Sequence, residues 1–292
     1  RVLFLQGGAT LQFSMVPMNF LAGIGSADYI LTGAWGEKAA AEARSFGSVR
    51  IATSTAEAGY RTVPQIDDID FDPSARYIHY TSNETIEGIE FSNDLDAHGL
   101  PVVCDASSNI LSKPIDIKKY SLIYAGAQKN IGPSGVTVVI ISDEMLARVP
   151  DGLPSLLDYR KIAENGSLLN TPNTWGIYII DLVCKWLADA GGLEAIQARN
   201  IMKARILYDA IDRSDGFYSG HADRNARSLM NVTFRLPTPD LERQFCTEAA
   251  SAGMVGLAGH RSVGGIRASI YNAFPLEGAE CLAAFMDEFS SR

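Results

Sequence analysis

The stretch 122-LIYAGAQKNIGPSGVTVVII-141 decides the fold. Two short apolar runs, Ser121–Tyr124 and Val136–Ile141, read as strands, being rich in β-branched and aromatic residues and separated by turn residues. Between them lie Gly126, Gly132, Pro133, Gly135 and one cation, Lys129. A charge placed between buried strands is costly unless it is paired or used. The stretch therefore reads as two sheet strands joined by a small-residue loop that presents a lysine at a strand end.

Outward from it, strand-like and helix-like segments alternate. Val2–Leu5, Asp28–Thr32, Val49–Ala52, Tyr77–Tyr80 and Val102–Cys104 are short apolar runs, and helical patterns occupy Thr10–Leu21 and Gly36–Arg44. Such alternation predicts an α/β fold, with a mostly parallel sheet flanked by helices. After Asn170 the texture changes. Trp175–Asp189 and Leu193–Ile211 show helical spacing, broken at Gly191–Gly192. Strands are expected at Leu229–Arg235 and Gly265–Ile270, and helices at Pro239–Ala250 and Gly278–Phe289. We expect a large domain over residues 1–190 and a smaller C-terminal α+β domain over 191–292.

Composition excludes several classes. Of 292 residues, 47% are hydrophobic and 20% charged, which suits a globular chain rather than a disordered one. A net charge of −9 argues against nucleic acid or an anionic membrane as partner. No apolar run is long enough to span a bilayer. Cys104, Cys184, Cys246 and Cys281 form neither a CxxC pair nor a metal-site spacing, so no metal is expected and a reducing cytoplasm is the simplest location. The opening RVLFLQGG lacks an initiator Met and a signal-peptide pattern; we expect native residues upstream of Arg1.

Lys129 needs partners to be more than a surface lysine in a turn. Desolvation lowers an amine's pKa, and a neutral amine can form a Schiff base. Asp105 ends the apolar run LPVVCD, at the carboxyl edge where open α/β sheets bind ligands; capping the following SSNIL turn is the alternative. An Asp and a Lys at two strand ends suit pyridoxal 5′-phosphate, with the Asp holding the pyridinium and the Lys the aldehyde. In QGGATLQF, Gly8, Ala9 and Thr10 follow a strand and open a helix, which suits a phosphate cradle. No GK[ST] follows, and GIGSAD (Gly23–Asp28) lacks the third glycine of a dinucleotide fingerprint. Trp35 follows a strand and can stack on a flat ring, or fill core. Thr85 can bond a cofactor oxygen or cap its turn. His260 and Arg261, in the basic GHRSVGG, can hold an anionic substrate. Arg267 can do the same or sit in a salt bridge.

Taken together, YAGAQKNIGPSG, HYTSNETIEG, SNILSKPID, NGSLLNTPNTWGIY, GHRSVGG and IRASIYNAFPLEG resemble the phosphoserine aminotransferases, in order along nearly the whole chain. These are fold-type I, pyridoxal-phosphate-dependent aminotransferases. The resemblance implies that Lys129 is the Schiff-base lysine, Asp105 the ring-nitrogen partner, Trp35 the stacking residue, and Thr85 the neighbour of the ring oxygen. Gln128 matches a cofactor-phosphate contact. Asn170 and Thr171 match a pair reaching the phosphate of a neighbouring subunit, which implies a homodimer with shared sites. His260 and Arg261 match substrate-anion contacts. The implied reaction moves an amino group between glutamate and 3-phosphohydroxypyruvate, giving O-phosphoserine and 2-oxoglutarate; phosphohydroxythreonine of vitamin B6 synthesis is a second implied substrate. Two departures stand out. GGATLQF replaces the family's GGGR- or GGGCGQF-like turn, and a substrate-binding His-Arg pair normally lies in several dozen residues before this start.

The rivals are another fold-type I enzyme, of the alanine–glyoxylate aminotransferase or cysteine desulfurase kind, and a non-catalytic anion-binding protein or inactive fragment. A desulfurase needs a reactive Cys on a mobile loop, whereas Cys246 in LERQFCTEAA falls in a helical pattern.

Overall fold

The computed structural model describes residues 1–23 and 25–292; Ile24, in GIGSAD, lies outside them. Among the described residues, the first half carries strands β1 (Val2–Gln6), β2 (Ser26–Leu31), β3 (Ser48–Ser54) and β4 (Ile78–Thr81), with helices α1 (Gln12–Phe20) and α2 (Ala34–Ala43). A small hairpin, β5 (Asn83–Glu84) and β6 (Ile89–Glu90), precedes β7 (Val102–Asp105), β8 (Leu122–Gly126) and β9 (Val136–Ile141). Short helices α3 (Asp143–Leu146) and α4 (Tyr159–Glu164) lead to α5 (Thr174–Asp189) and α6 (Gly192–Asp212). The chain ends with β10 (Ser219–Gly220), β11 (Asn231–Arg235), α7 (Pro239–Ser251), β12 (Ile266–Ser269) and α8 (Leu276–Ser290).

Seven strands form one sheet in the order β1-β9-β8-β7-β4-β2-β3. The pairings β3–β2, β2–β4, β4–β7 and β7–β8 are parallel; β8–β9 and β9–β1 are antiparallel. Two reversals bring β1 back into the direction of β8. The carboxyl ends of β1, β2, β4, β7 and β8 therefore meet at one edge of the sheet. Side chains alternate between faces along each strand, and the cores follow. Val103 and Tyr124 join one apolar cluster, and Val102, Cys104 and Ile123 the cluster on the opposite face. Burial on both faces explains why these strands read as continuous apolar runs.

Gly191 and Gly192 break α5 from α6 with positive φ of 102° and 80°, a conformation that glycine adopts without a Cβ clash. Beyond them a third core gathers Leu207, Phe234, Phe245, Ile266 and Met286 around the antiparallel sheet β10-β11-β12. This part docks on the large sheet through buried polar contacts. Asn83 Nδ2 donates to Asn231 Oδ1 (2.9 Å), Thr233 Oγ1 to the Glu87 carbonyl (2.7 Å), and the Asn272 N–H to Asn130 Oδ1 (2.9 Å).

Expected and observed elements differ mainly at their ends. The helix expected from Thr10 starts as a 3₁₀ turn, Ala9–Leu11, and becomes α-helical at Gln12. β8 runs on to Gly126, because pairing to Thr137 continues past the apolar run. The β5–β6 hairpin has two residues per strand, too few for any periodicity to register.

Candidate active site

Lys129 sits in the turn between β8 and β9. Its Nζ donates to Thr85 Oγ1 at 2.6 Å and lies 5.4 Å from the centre of the Trp35 ring. Burial pushes the amine below the ordinary lysine range. The Asp105 and Glu84 carboxylates oppose that shift, and the Arg267 charge adds to it. Desolvation thus favours the neutral amine, and the two acidic side chains beside it favour the charged one.

Asp105 ends β7 and is buried. Its Oδ1 accepts the Ser107 N–H at 2.9 Å. Burial raises its pKa; the Ser107 hydrogen bonds and the Lys129 charge pull it back. Tyr124 pairs with Asp105 across β7–β8, and its hydroxyl is 2.8 Å from His79 Nε2 on β4. Burial pushes the His79 imidazole down to about 3, so it is neutral at physiological pH. His79 also stacks on Tyr29 with ring centres 4.8 Å apart. A neutral aromatic and phenolic layer therefore lies beneath the carboxylate.

A cavity of about 90 Å³ collects the strand-end residues. Gly8, Ala9 and Thr10 line one side, at the start of the turn that leads into α1; Trp35, Thr85, Asp105, Gln128 and Lys129 line the rest. Three further buried groups there lack partners among the described residues: Trp35 Nε1, Thr81 Oγ1 and Asn83 Oδ1. The Asn83 amide orientation is set by its neighbours. Its Nδ2 donates to both Ser108 Oγ and Asn231 Oδ1, while the Ser108 hydroxyl proton goes to the Asn83 carbonyl. Buried orphan groups of this kind mark a place for a polar ligand.

Other expected residues lie elsewhere. His260 lines a second cavity, of about 290 Å³, with Arg235, Arg267, His221 and Glu87. Its Nδ1 is 2.6 Å from Ser262 Oγ, and partial burial with the nearby Arg267 charge lowers its pKa. Arg261 is exposed. The two cavities adjoin through consecutive residues, since Thr85 lines the first and Ile86 and Glu87 the second. Asn170 and Thr171 are exposed and lie away from Lys129. Asn170 borders a separate cavity with Phe4 and Leu11, and the Thr171 carbonyl accepts from Gln6 Nε2 at 2.6 Å.

Sequence reading missed Glu84 and Glu87, which flank Thr85 and are buried. Burial and the Glu87 charge push the Glu84 carboxyl up to about 8, against the pull of two backbone N–H donors. It also left Arg267 between two roles. Arg267 makes no ion pair among the described residues, lines the second cavity, and is felt electrostatically at both Lys129 and His260. Its place in a strand two residues from Gly265 was legible in sequence; the cavity it lines was not.

Comparison with known proteins gives the family. The profile of the class-V aminotransferases matches residues 1–282. The chain belongs to that family. Within it, the chain is 54% identical over 292 residues to phosphoserine aminotransferase of Lysinibacillus sphaericus, covering all of this chain and 81% of the relative. The solved phosphoserine aminotransferase of Bacillus circulans subsp. alkalophilus superposes with a TM-score of 0.98 at 49% identity, over 100% of this chain and 81% of that one. A PLP-bound phosphoserine aminotransferase from Trichomonas vaginalis gives 0.91 at 38% identity, over 98% and 82%. Those levels of identity make the chain a member of the phosphoserine aminotransferases within class V. Among the described residues no cysteine lines the Lys129 cavity; Cys246 lies on α7 and Cys281 on α8.

Proposed function

We propose that this chain is a pyridoxal-phosphate-dependent phosphoserine aminotransferase. It transfers the amino group of glutamate to 3-phosphohydroxypyruvate, giving O-phosphoserine and 2-oxoglutarate. The observation that carries the reading is one strand-end cavity that joins Lys129, Asp105, Trp35 and Thr85 with the Gly8–Thr10 turn.

The residues present fit the cofactor. Gly126 has no side chain where a Cβ would meet Ala9 N at 3.3 Å and Gln128 Oε1 at 2.6 Å. That gap lies beside backbone N–H groups at a helix start, which suits a phosphate. The orphaned Trp35 Nε1, Thr81 Oγ1 and Asn83 Oδ1 offer polar partners to its ring and oxygens. Gly8, Ala9, Thr10 and Gln128 hold the phosphate, Trp35 and Thr85 the ring, and Asp105 the ring nitrogen. When bound, pyridoxal phosphate supplies an aldehyde for amine capture and a ring that stabilises negative charge at the substrate Cα.

The chain's own groups do the rest. Lys129 Nζ, with its pKa lowered by burial, would hold the cofactor aldehyde at rest and, once released from it by the incoming amine, would accept the Cα proton of the amino donor. Asp105 keeps a cation opposite its buried carboxylate. His260 and Arg261 bind the acidic ends of the substrates, and Arg267 faces the same cavity with a free guanidinium suited to a carboxylate.

The active form is a homodimer in which Asn170 and Thr171 complete the neighbouring site. Both are exposed, and α5 beside them presents an apolar stripe of Trp175, Tyr178, Leu182 and Trp186, which suits an interface core. The large, cofactor-bearing domain ends near Gly191. We place the enzyme in the cytoplasm; its four cysteines are free, and no helix among the described residues is long and apolar enough to cross a membrane.

Absorbance tests the assignment. Purified protein with added pyridoxal phosphate should show visible absorption that Lys129→Ala loses, and glutamate plus 3-phosphohydroxypyruvate should yield O-phosphoserine. Failure to bind the cofactor would sink the reading.

A further inference from the structure

The helix that carries Trp35 starts in an unusual way. An α-helix leaves its first backbone N–H groups without internal partners, and a Ser, Thr, Asp or Asn just before it normally satisfies one of them. The residue before α2 is Gly33, which has no side chain to offer. The N–H groups go instead to two carboxylates some fifty residues away in sequence. Glu84 Oε1 accepts the Gly36 N–H at 2.8 Å, and Glu84 Oε2 accepts the Trp35 N–H at 3.1 Å. Glu87 Oε1 accepts the Ala34 N–H at 3.0 Å. Both acids are buried, and Glu87 Oε2 has no partner among the described residues. Room for them exists because position 33 is glycine. A Cβ there would lie 2.7 Å from Glu84 Cδ and 2.7 Å from Glu87 Oε2.

The same four-residue segment touches the lysine. Thr85, between the two acids, accepts the Lys129 hydrogen bond, and the Glu87 carbonyl accepts the Thr233 hydroxyl of the small sheet. One short element thus fixes the helix start that carries Trp35, the Lys129 amine and the edge of the small sheet.

We infer that Glu84, assisted by Glu87, is a positioning residue: its carboxylate clamps the first turn of α2 and thereby sets the Trp35 ring against the Lys129 pocket. Two carboxyl oxygens on one side chain each accept an N–H of the first turn, where the helix dipole favours them, so the turn is held at two points where an ordinary cap holds one. The ring's service to the cofactor rests on the function proposed above; the clamp itself does not.

The experiment reads the two separately. In cofactor-free protein, Glu84→Gln keeps the size of the side chain but loses one of its two acceptors. Amide exchange in a peptide spanning Ala34–Gly36 should speed up about tenfold or more, with β7–β9 peptides unchanged and Trp35 emission shifted. Glu87→Gln should speed exchange at Ala34 alone, and serves if Glu84→Gln folds poorly. With pyridoxal phosphate added, Glu84→Gln should weaken its binding roughly tenfold and reduce the visible circular dichroism. Unchanged exchange at 34–36, or faster exchange spread evenly over the chain, would overturn the clamp. Faster local exchange with unaltered Trp35 emission would overturn the positioning role. Wild-type protein that exchanges as expected but binds no pyridoxal phosphate would defeat the functional reading and leave the clamp standing.

Discussion

The pocket around Lys129 and the loop around His260 and Arg261 are built on different principles. The first hangs from strand ends of one buried, mostly parallel sheet, where Thr81, Asp105 and Gly126 are held in fixed register. Its groups are desolvated, and Lys129 is tied to Thr85. The second is a glycine-flanked surface loop, with Arg261 exposed and the His260 imidazole bonded to Ser262 within the same loop. Rigid scaffolds fix chemistry, and loops carry recognition. Substitutions in the pocket should therefore abolish turnover, and those in the loop should change which substrate is preferred.

The largest effect is expected at Lys129. Lys129→Ala should lower kcat by roughly 10⁴-fold or more, because both the covalent anchor and the proton carrier are lost. A deficit under about tenfold would erase the contrast between the regions. The same amine gives a stability signature. Its folded pKa is depressed, so the folded state holds fewer protons than the unfolded one between that pKa and the ordinary lysine value. Stability of the cofactor-free protein should rise with pH across that window, and Lys129→Met should remove the rise. Asp105→Asn comes next, with kcat lowered by about 10³-fold and thermal stability little changed.

In the second region, Arg261→Ala and Arg267→Ala should raise KM for 3-phosphohydroxypyruvate by roughly 10–100-fold, with kcat changing far less. Arg267, felt at Lys129 as well as at His260, should be the more damaging of the two. Equal effects on kcat and KM at Arg261 would place it in the rigid class and blur the distinction.

Beneath the pocket the expected effect is on stability and leaves turnover least changed. His79 is buried and titrates near 3. A depressed pKa gives stability that is complete above the ordinary histidine value and is lost as pH falls. Its share of the loss should be about 1.4 kcal/mol per pH unit between 6.5 and 3. In His79→Gln, denaturant titrations across that range should show a shallower dependence on pH.

Much of this was legible in sequence, for identifiable reasons. β7 and β8 are buried on both faces, so LPVVCD and SLIY announce themselves as apolar runs, and the residues ending them fall at the ligand-binding edge. Lys129, Asp105 and Trp35 were read from that logic, then assigned roles by resemblance. Glu84 and Glu87 were not read, because a cap supplied from fifty residues away leaves no local pattern; Gly33 before an Ala-rich helix was the only trace. Asn83 escaped likewise, its partners Ser108 and Asn231 being distant in sequence. The His79–Tyr124 contact depends on β4 and β8 flanking β7, which apolar runs alone do not order.

The most direct test follows the visible spectrum of pyridoxal-phosphate-loaded protein during titration with O-phospho-L-serine, L-serine and L-alanine. Conversion at low O-phosphoserine concentration, with serine and alanine far less effective and Lys129→Ala silent to all three, is the predicted result. Equal response to the three amino acids, or a response that survives in Lys129→Ala, would contradict the account.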